Sequence, residues 1–248
     1  MQKNIIVAQQ LYHSRYGKVM VRNANLAVPE KEIYALIGPN GCGKTNLLKL
    51  LGGLEKPERG MLVLFGNPQP SFAEFRKIGI VPERGGFYEK MSGKTNLKLK
   101  ALAFGNYQKD LIQTAIRITG LEKIARKQVT SYSKKEKFRL GIAMAILGSP
   151  KLLLLDETLD MISDEEREEI QKLLKKLNEK YHLTIVITSK NAETVQEIAT
   201  WYGVMRKGMI TAQFPAKELK HYQEEEKIPE LKKIQRTKKR AEREQKND

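Results

Sequence analysis

Between Gly38 and Thr45 the chain reads Gly-Pro-Asn-Gly-Cys-Gly-Lys-Thr, which meets every fixed position of the phosphate-binding pattern G-x-x-x-x-G-K-[ST]. Glycines at those places let backbone N–H groups turn inward toward phosphate oxygens. The helix expected from Asn46 onward directs the positive end of its dipole at the same point. Lys44 is the group that reaches the β- and γ-phosphates of a nucleotide, and Thr45 offers a hydroxyl to Mg²⁺, a hard cation that prefers oxygen. The expected phosphate-binding residues are therefore Gly38, Pro39, Asn40, Gly41, Cys42, Gly43, Lys44, Thr45 and Asn46. Further along, four leucines from Leu152 to Leu155 end in Asp156 and Glu157. A buried central strand delivers acids to its carboxyl edge in this way. Asp156 can hold Mg²⁺ through water, and Glu157 is placed to polarise a water aimed at the γ-phosphate. ATP and Mg²⁺ are the implied ligands.

The elements that must hold these groups are legible on either side. The apolar run Glu32 to Ile37 suits a buried strand ahead of the glycine loop, and Asn46 to Leu51 reads as the helix after it. Ile5-Ile6-Val7 and Val19 to Val28 pattern as strands around a turn at Tyr16-Gly17-Lys18. Gly60 to Gly66, Lys77 to Pro82 and Leu183 to Thr188 add three more, and Trp201 to Phe214 reads as a hairpin around Lys207-Gly208. From Thr95 to Leu121 the pattern turns helical, as two helices closed by Gly120. Ser133-Lys134-Lys135-Glu136 has the S-x-x-E form of a capping box ahead of a helix from Lys137 to Leu147. Ser163 to Glu166 repeats that form ahead of an amphipathic helix bearing Ile170, Leu173, Leu174 and Leu177. Strands alternating with helices predict an α/β fold with a mostly parallel sheet, and no internal repeat is present. The expected division is a nucleotide core from 1–87 and 148–215, a helical subdomain from 88–147, and a charged tail from 216–248.

Composition bounds the partners. The 248 residues carry a net charge of +16, which calls for an anionic neighbour: nucleic acid, an acidic protein surface or lipid headgroups. Basic residues crowd the carboxyl end from Lys232 to Arg243, a solvated tail or a contact with an anionic membrane surface. The single cysteine, Cys42, excludes an internal disulfide and fits a reducing compartment. No apolar stretch approaches the roughly 20 residues of a membrane-crossing helix, and the amino terminus lacks a signal-peptide pattern, so a cytoplasmic chain is expected.

In the order of these parts the chain resembles the ATP-binding subunit of an ABC transporter, over roughly residues 3 to 215. Tyr16 matches the aromatic residue that stacks on adenine, Gly38 to Thr45 match the Walker A loop, and Leu152 to Glu157 match Walker B with its catalytic glutamate. Ile78 to Pro82 and Tyr132-Ser133 look most like the branch that exports, or confers immunity to, antimicrobial peptides. The resemblance implies a P-loop ATPase core with an antiparallel β subdomain and an inserted helical subdomain. It also implies a separate transmembrane permease subunit, a second ATP-binding subunit, and a place on the cytoplasmic face of the membrane.

Four positions depart from the family's pattern. Glu83 stands at the Q-loop glutamine, where a carboxylate can still touch Mg²⁺ or water but adds negative charge beside a triphosphate. Tyr132-Ser133-Lys134-Lys135-Glu136 stands for L-S-G-G-Q, so Ser133 would face a dimer partner's ATP, with Lys135 where bare backbone approaches the γ-phosphate. Ser163 replaces the D-loop aspartate. Lys190 replaces the switch histidine, and a lysine that only donates can hold a γ-phosphate without organising the attacking water as histidine does. Three readings stay open: a hydrolysing export subunit, a degenerate ATP-binding module paired with a different, competent chain, and a soluble protein acting on nucleic acid or ribosomes. The last is the least favoured, because such proteins usually carry two ATP-binding halves in one chain.

Overall fold

The computed structural model describes residues 3–83, 86–105 and 108–224. Its elements in chain order are β1 (Asn4–Arg15), β2 (Lys18–Pro29), β3 (Ile33–Ile37), α1 (Lys44–Leu51), β4 (Arg59–Leu64), α2 (Phe72–Phe75) and β5 (Ile78–Val81). Then come α3 (Gly93–Ala103), α4 (Lys109–Thr119), α5 (Lys134–Ile146), β6 (Leu152–Leu155), α6 (Asp164–Tyr181), β7 (Thr184–Ser189), β8 (Trp201–Arg206) and β9 (Met209–Pro215).

Two sheets result. A three-stranded antiparallel sheet has the order β2-β1-β4, and a six-stranded sheet has the order β5-β6-β7-β3-β8-β9, parallel except for the last pair. Both hairpins turn where two consecutive residues take positive φ: Tyr16 and Gly17 at +51° and +74°, and Lys207 and Gly208 at +47° and +84°. That pair of left-handed residues twists a two-residue turn to match the strands it joins.

A parallel strand must be covered on both faces, and the period of two in these strands divides the cover cleanly. Leu153 and Leu155, with Ile33, Ala35, Ile185 and Ile187, face a core completed by α6. Leu152 and Leu154, with Tyr34, Leu36 and Val186, face the opposite way onto α1 and the antiparallel sheet. A third core is built from α3, α4 and α5 around Leu97, Ile112, Ile116 and Leu140.

Some local expectations shift. The strand expected at Ile5 to Val7 runs on to Arg15, α3 starts at Gly93 behind a Ser92 cap rather than at Thr95, and α5 begins directly after Ser133 rather than at Lys137. The reciprocal capping box forms at Ser133 and Glu136 but is one-sided at Ser163, whose hydroxyl accepts from Glu166 N at 3.4 Å. Helix α2, with its own capping box at Ser71 and Glu74, has too few residues to show a periodicity. The basic run from Lys232 to Arg243 lies outside the described residues. Among the described residues, no helix is long and apolar enough to cross a membrane.

Candidate nucleotide site

The glycine loop leaves the carboxyl end of β3, the strand between β7 and β8. Its glycines are required by what surrounds them. A Cβ at Gly38 would stand 2.2 Å from the Met205 carbonyl oxygen, and Gly43, at φ +112°, would place one 2.4 Å from Met20 O. Backbone hydrogen bonds fix the loop from outside: Gly38 N donates to Ser189 O at 3.2 Å, and Gly208 N donates to Cys42 O at 2.8 Å. Helix α1 then starts with no side-chain cap, so its first N–H groups are left for an anion. A hollow of about 440 Å³ lies over Pro39 to Cys42, bordered by Arg206 and Lys207.

The charged groups converge on this loop. The Lys44 ammonium is 2% exposed and folded back, donating to Gly38 O at 2.7 Å and Pro39 O at 3.2 Å, with Glu157 Oε1 at 3.0 Å. Thr45 Oγ1 donates to Asp156 Oδ1 at 3.1 Å. Thr188, at the end of β7, joins the two acids: its hydroxyl donates to Asp156 Oδ1 at 2.8 Å and accepts from Glu157 N at 2.8 Å. Glu157 itself takes a left-handed φ of +45° at the strand edge, a conformation that is costly for a residue with a side chain. Burial pushes the Asp156 carboxyl above the usual carboxylate range. The two hydroxyl bonds pull the other way, and the charges of Glu157 and Glu83 add to the rise.

A dehydrated carboxylate beside a second acid, with only oxygen donors around it, suits a hard dication. The described residues contain no group of three or more His, Cys, Asp or Glu able to hold a metal by themselves. Mg²⁺ commonly takes one or two carboxylates and completes its shell with substrate phosphates and water, so the donor set fits that ion together with a nucleotide.

Not every expected residue lies in this cluster. Tyr16 is 94% exposed at the β1–β2 turn, its ring 5.4 Å from the Arg15 guanidinium. Asn46 is half-buried in the first turn of α1, and Glu83 is exposed just past β5, near enough to Asp156 to raise its pKa. Ser133 and Lys135 stand at the start of α5. In this single chain the Lys135 ammonium lies 3.0 Å from Glu169 of α6, beside Arg139 at 2.8 Å from the same carboxylate. Lys190 is exposed, and its amide donates to Asp160 Oδ2 at 3.0 Å.

Sequence reasoning missed Thr188, Ser189 and Asp160. Asp160 holds the loop after β7 through both oxygens, taking Ser189 Oγ at 2.9 Å as well as the Lys190 amide. The available signal was a hydroxyl pair closing the apolar run of β7 where the acids of β6 also end.

Ser133 has a sufficient structural role, and its replacement tests how far that role extends. Its hydroxyl accepts from Glu136 N at 3.2 Å while Glu136 Oε2 accepts from Ser133 N at 2.8 Å. Ser133→Ala is expected to cost about 1 kcal/mol of unfolding free energy, read as a lower urea midpoint at unchanged slope. An unaltered midpoint would show that the cap contributes nothing.

Comparison with known proteins bears on the same residues. A family described as "ABC transporter" matches residues 21–160. The bacitracin transport ATP-binding protein BcrA of Enterococcus faecalis is 36% identical over 208 residues, which are 83% of this chain and 68% of that protein. The lantibiotic transport ATP-binding protein SrtF of Streptococcus pyogenes is 33% identical over 220 residues, 87% of this chain and 91% of that one. Among solved structures, cbiO1 of Clostridium perfringens, part of the complex cbiONQ, superposes with a TM-score of 0.80 at 24% identity, covering 94% of this chain and 98% of its own.

Proposed function

The chain belongs to the ABC transporter family as an ATP-binding, ATP-hydrolysing subunit, and from that premise we propose that it binds Mg·ATP at residues 38–46 and drives peptide export through a separate membrane subunit. The observation that carries the reading is the meeting of Lys44, Thr45, Asp156 and Glu157 within hydrogen-bonding distance at one end of the sheet. Thr45, Asp156 and Glu83 would hold Mg²⁺, which when bound supplies positive charge to the phosphate oxygens. Lys44 exchanges its two carbonyl partners for phosphate oxygens, and Tyr16 presents an open ring face to the base. Glu157, released from Lys44, accepts the proton of the attacking water.

We assign the cargo class from the bacitracin and lantibiotic transport proteins among the relatives, and place the subunit on the cytoplasmic face of the membrane. The core of 1–87 and 148–215 would handle nucleotide, and the helical part of 88–147 would meet the membrane partner. A second reading is favoured by the altered positions: the Ser133 hydroxyl is used as a helix cap, and Lys190 stands where a histidine would organise water. Two identical chains would then form two sites poorly built for hydrolysis. A different ATP-binding subunit could complete one composite site with a standard signature.

Both readings are tested on the complex purified from detergent-solubilised membranes by native mass spectrometry. The expected composition is one membrane subunit, this chain and a second, different ATP-binding chain. Two copies of this chain alone would overturn the mixed pair, and the absence of any membrane protein would overturn the transporter reading. Removing the gene from its own cell is expected to raise susceptibility to bacitracin-like or lantibiotic peptides at least fourfold, and an unchanged susceptibility to both classes would remove the cargo assignment.

A further inference from the structure

The charge of the chain is concentrated where neither the nucleotide site nor the tail uses it. Residues 86–147 contain 13 Lys and Arg against 4 Asp and Glu, a net +9 of the total +16, whereas residues 225–248 contribute +3. Within that region the backbone brings two basic segments side by side. Lys94 N donates to Ala125 O at 2.7 Å, Gly93 N to Lys127 O at 3.2 Å, and Val129 N to Met91 O at 3.0 Å. Lys94 and Lys98, four apart on α3, and Lys90, in the turn ahead of the Ser92 cap, are thereby brought near the segment carrying Lys123, Arg126 and Lys127. Among the described residues none of these six makes an ion pair. Of the two acids bordering the ladder, Glu89 is taken by Lys137 at 2.8 Å, and Glu122 stands next to Lys123.

Apolar side chains stand open along the same stretch. Tyr88 is 64% exposed, Met91 41%, and Leu99 and Leu102 on α3 37% and 58%. Lysines alternating with exposed apolar side chains fit a bilayer interface, which takes ammonium groups at its phosphates and apolar groups at the acyl boundary. RNA would need stacking platforms and planar base-edge donors, and this surface offers one exposed tyrosine and one arginine.

We propose that the cationic and apolar surface formed by the start of α3 and residues 123–127 binds the anionic headgroups of the bilayer in which the membrane partner sits. The proposal rests on the transporter reading only for the nearness of that bilayer. Each lysine close to an anionic surface contributes roughly a fivefold gain in partition, so three unpaired lysines with supporting apolar contacts give a measurable association without an inserted segment.

The test is co-sedimentation of the full chain with sucrose-loaded vesicles, either phosphatidylcholine alone or with about a quarter phosphatidylglycerol, in about 100 mM KCl. The parent is expected on the anionic vesicles and not on the neutral ones. Lys90→Gln/Lys94→Gln/Lys98→Gln should lose at least tenfold of the partition coefficient, and adding Lys123→Gln, Arg126→Gln and Lys127→Gln should bring it to the neutral-vesicle level. ATP affinity and thermal midpoint should stay at parent values, which separates this result from failure to fold and from failure of the nucleotide reading. A full chain with the seven basic residues from Lys232 to Arg243 changed to Gln should keep most of its binding. Equal binding of parent and triple variant overturns the proposal, as does loss confined to the tail variant or equal binding to neutral vesicles. Tighter capture of a 20-nucleotide RNA than of the anionic vesicles in the same salt, abolished by the six changes, would make this a nucleic-acid surface instead.

Discussion

Lys44→Ala lowers ATP affinity by about 100- to 1000-fold in a calorimetric titration. Two charge-assisted contacts to phosphate contribute about 1.5–3 kcal/mol each, which alone would give a wider range. The free protein narrows it, because Lys44 already donates to Gly38 O and Pro39 O and sits 3.0 Å from Glu157. Binding is an exchange of partners rather than the gain of new ones, so the lower part of the range applies. The thermal midpoint without nucleotide serves as the control, since the change leaves Glu157 without its cation. A variant that binds ATP as tightly as the parent would end the phosphate-loop assignment.

Glu157→Gln is expected to slow hydrolysis by about 10²- to 10⁴-fold while ATP still binds. The amide keeps the shape and removes both the base and the negative charge facing Lys44. The ammonium that was held at 3.0 Å is then easier to withdraw toward phosphate, so nucleotide affinity should rise several-fold rather than fall. The two effects have opposite signs and are read in one experiment each: single-turnover hydrolysis and equilibrium binding. An unchanged hydrolysis rate in an assembled, active transporter would show that another group sets it.

Much of this architecture could be read from residue order. The strand of β3, the glycine loop and α1 follow from an apolar run, positions that need glycine, and a helix without breakers. The leucines of β6 announce a strand buried on both faces, because no alternation survives there. What the residues do to one another was less legible. The ion pair of Lys135 with Glu169 is of this kind, because Glu169 lies on α6, a separate element whose packing no local pattern encodes. Thr188 and Asp160 carry hydrogen bonds between β6 and β7, neighbours in space but not in the chain, and so gave no spacing to recognise. The surface of α3 was hidden for another reason: its lysines are scattered in sequence, and the ladder between 91–94 and 125–129 is what gathers them.

The edge hairpin of β8 and β9 sets the order in which the molecule can come into being. The strand that carries the glycine loop is complete by Ile37, yet both its neighbours, β7 and β8, belong to the last third of the chain, and the bond from Gly208 N to Cys42 O comes later still. On a ribosome adding about 5–20 residues per second, that bond waits on the order of ten to thirty seconds after Lys44 has been made. Until then the loop has its sequence but not its walls. The nascent chain therefore acquires a nucleotide site only after β7, β8 and the turn at Gly208 have been made, and ATP can act on its folding only from that step onward.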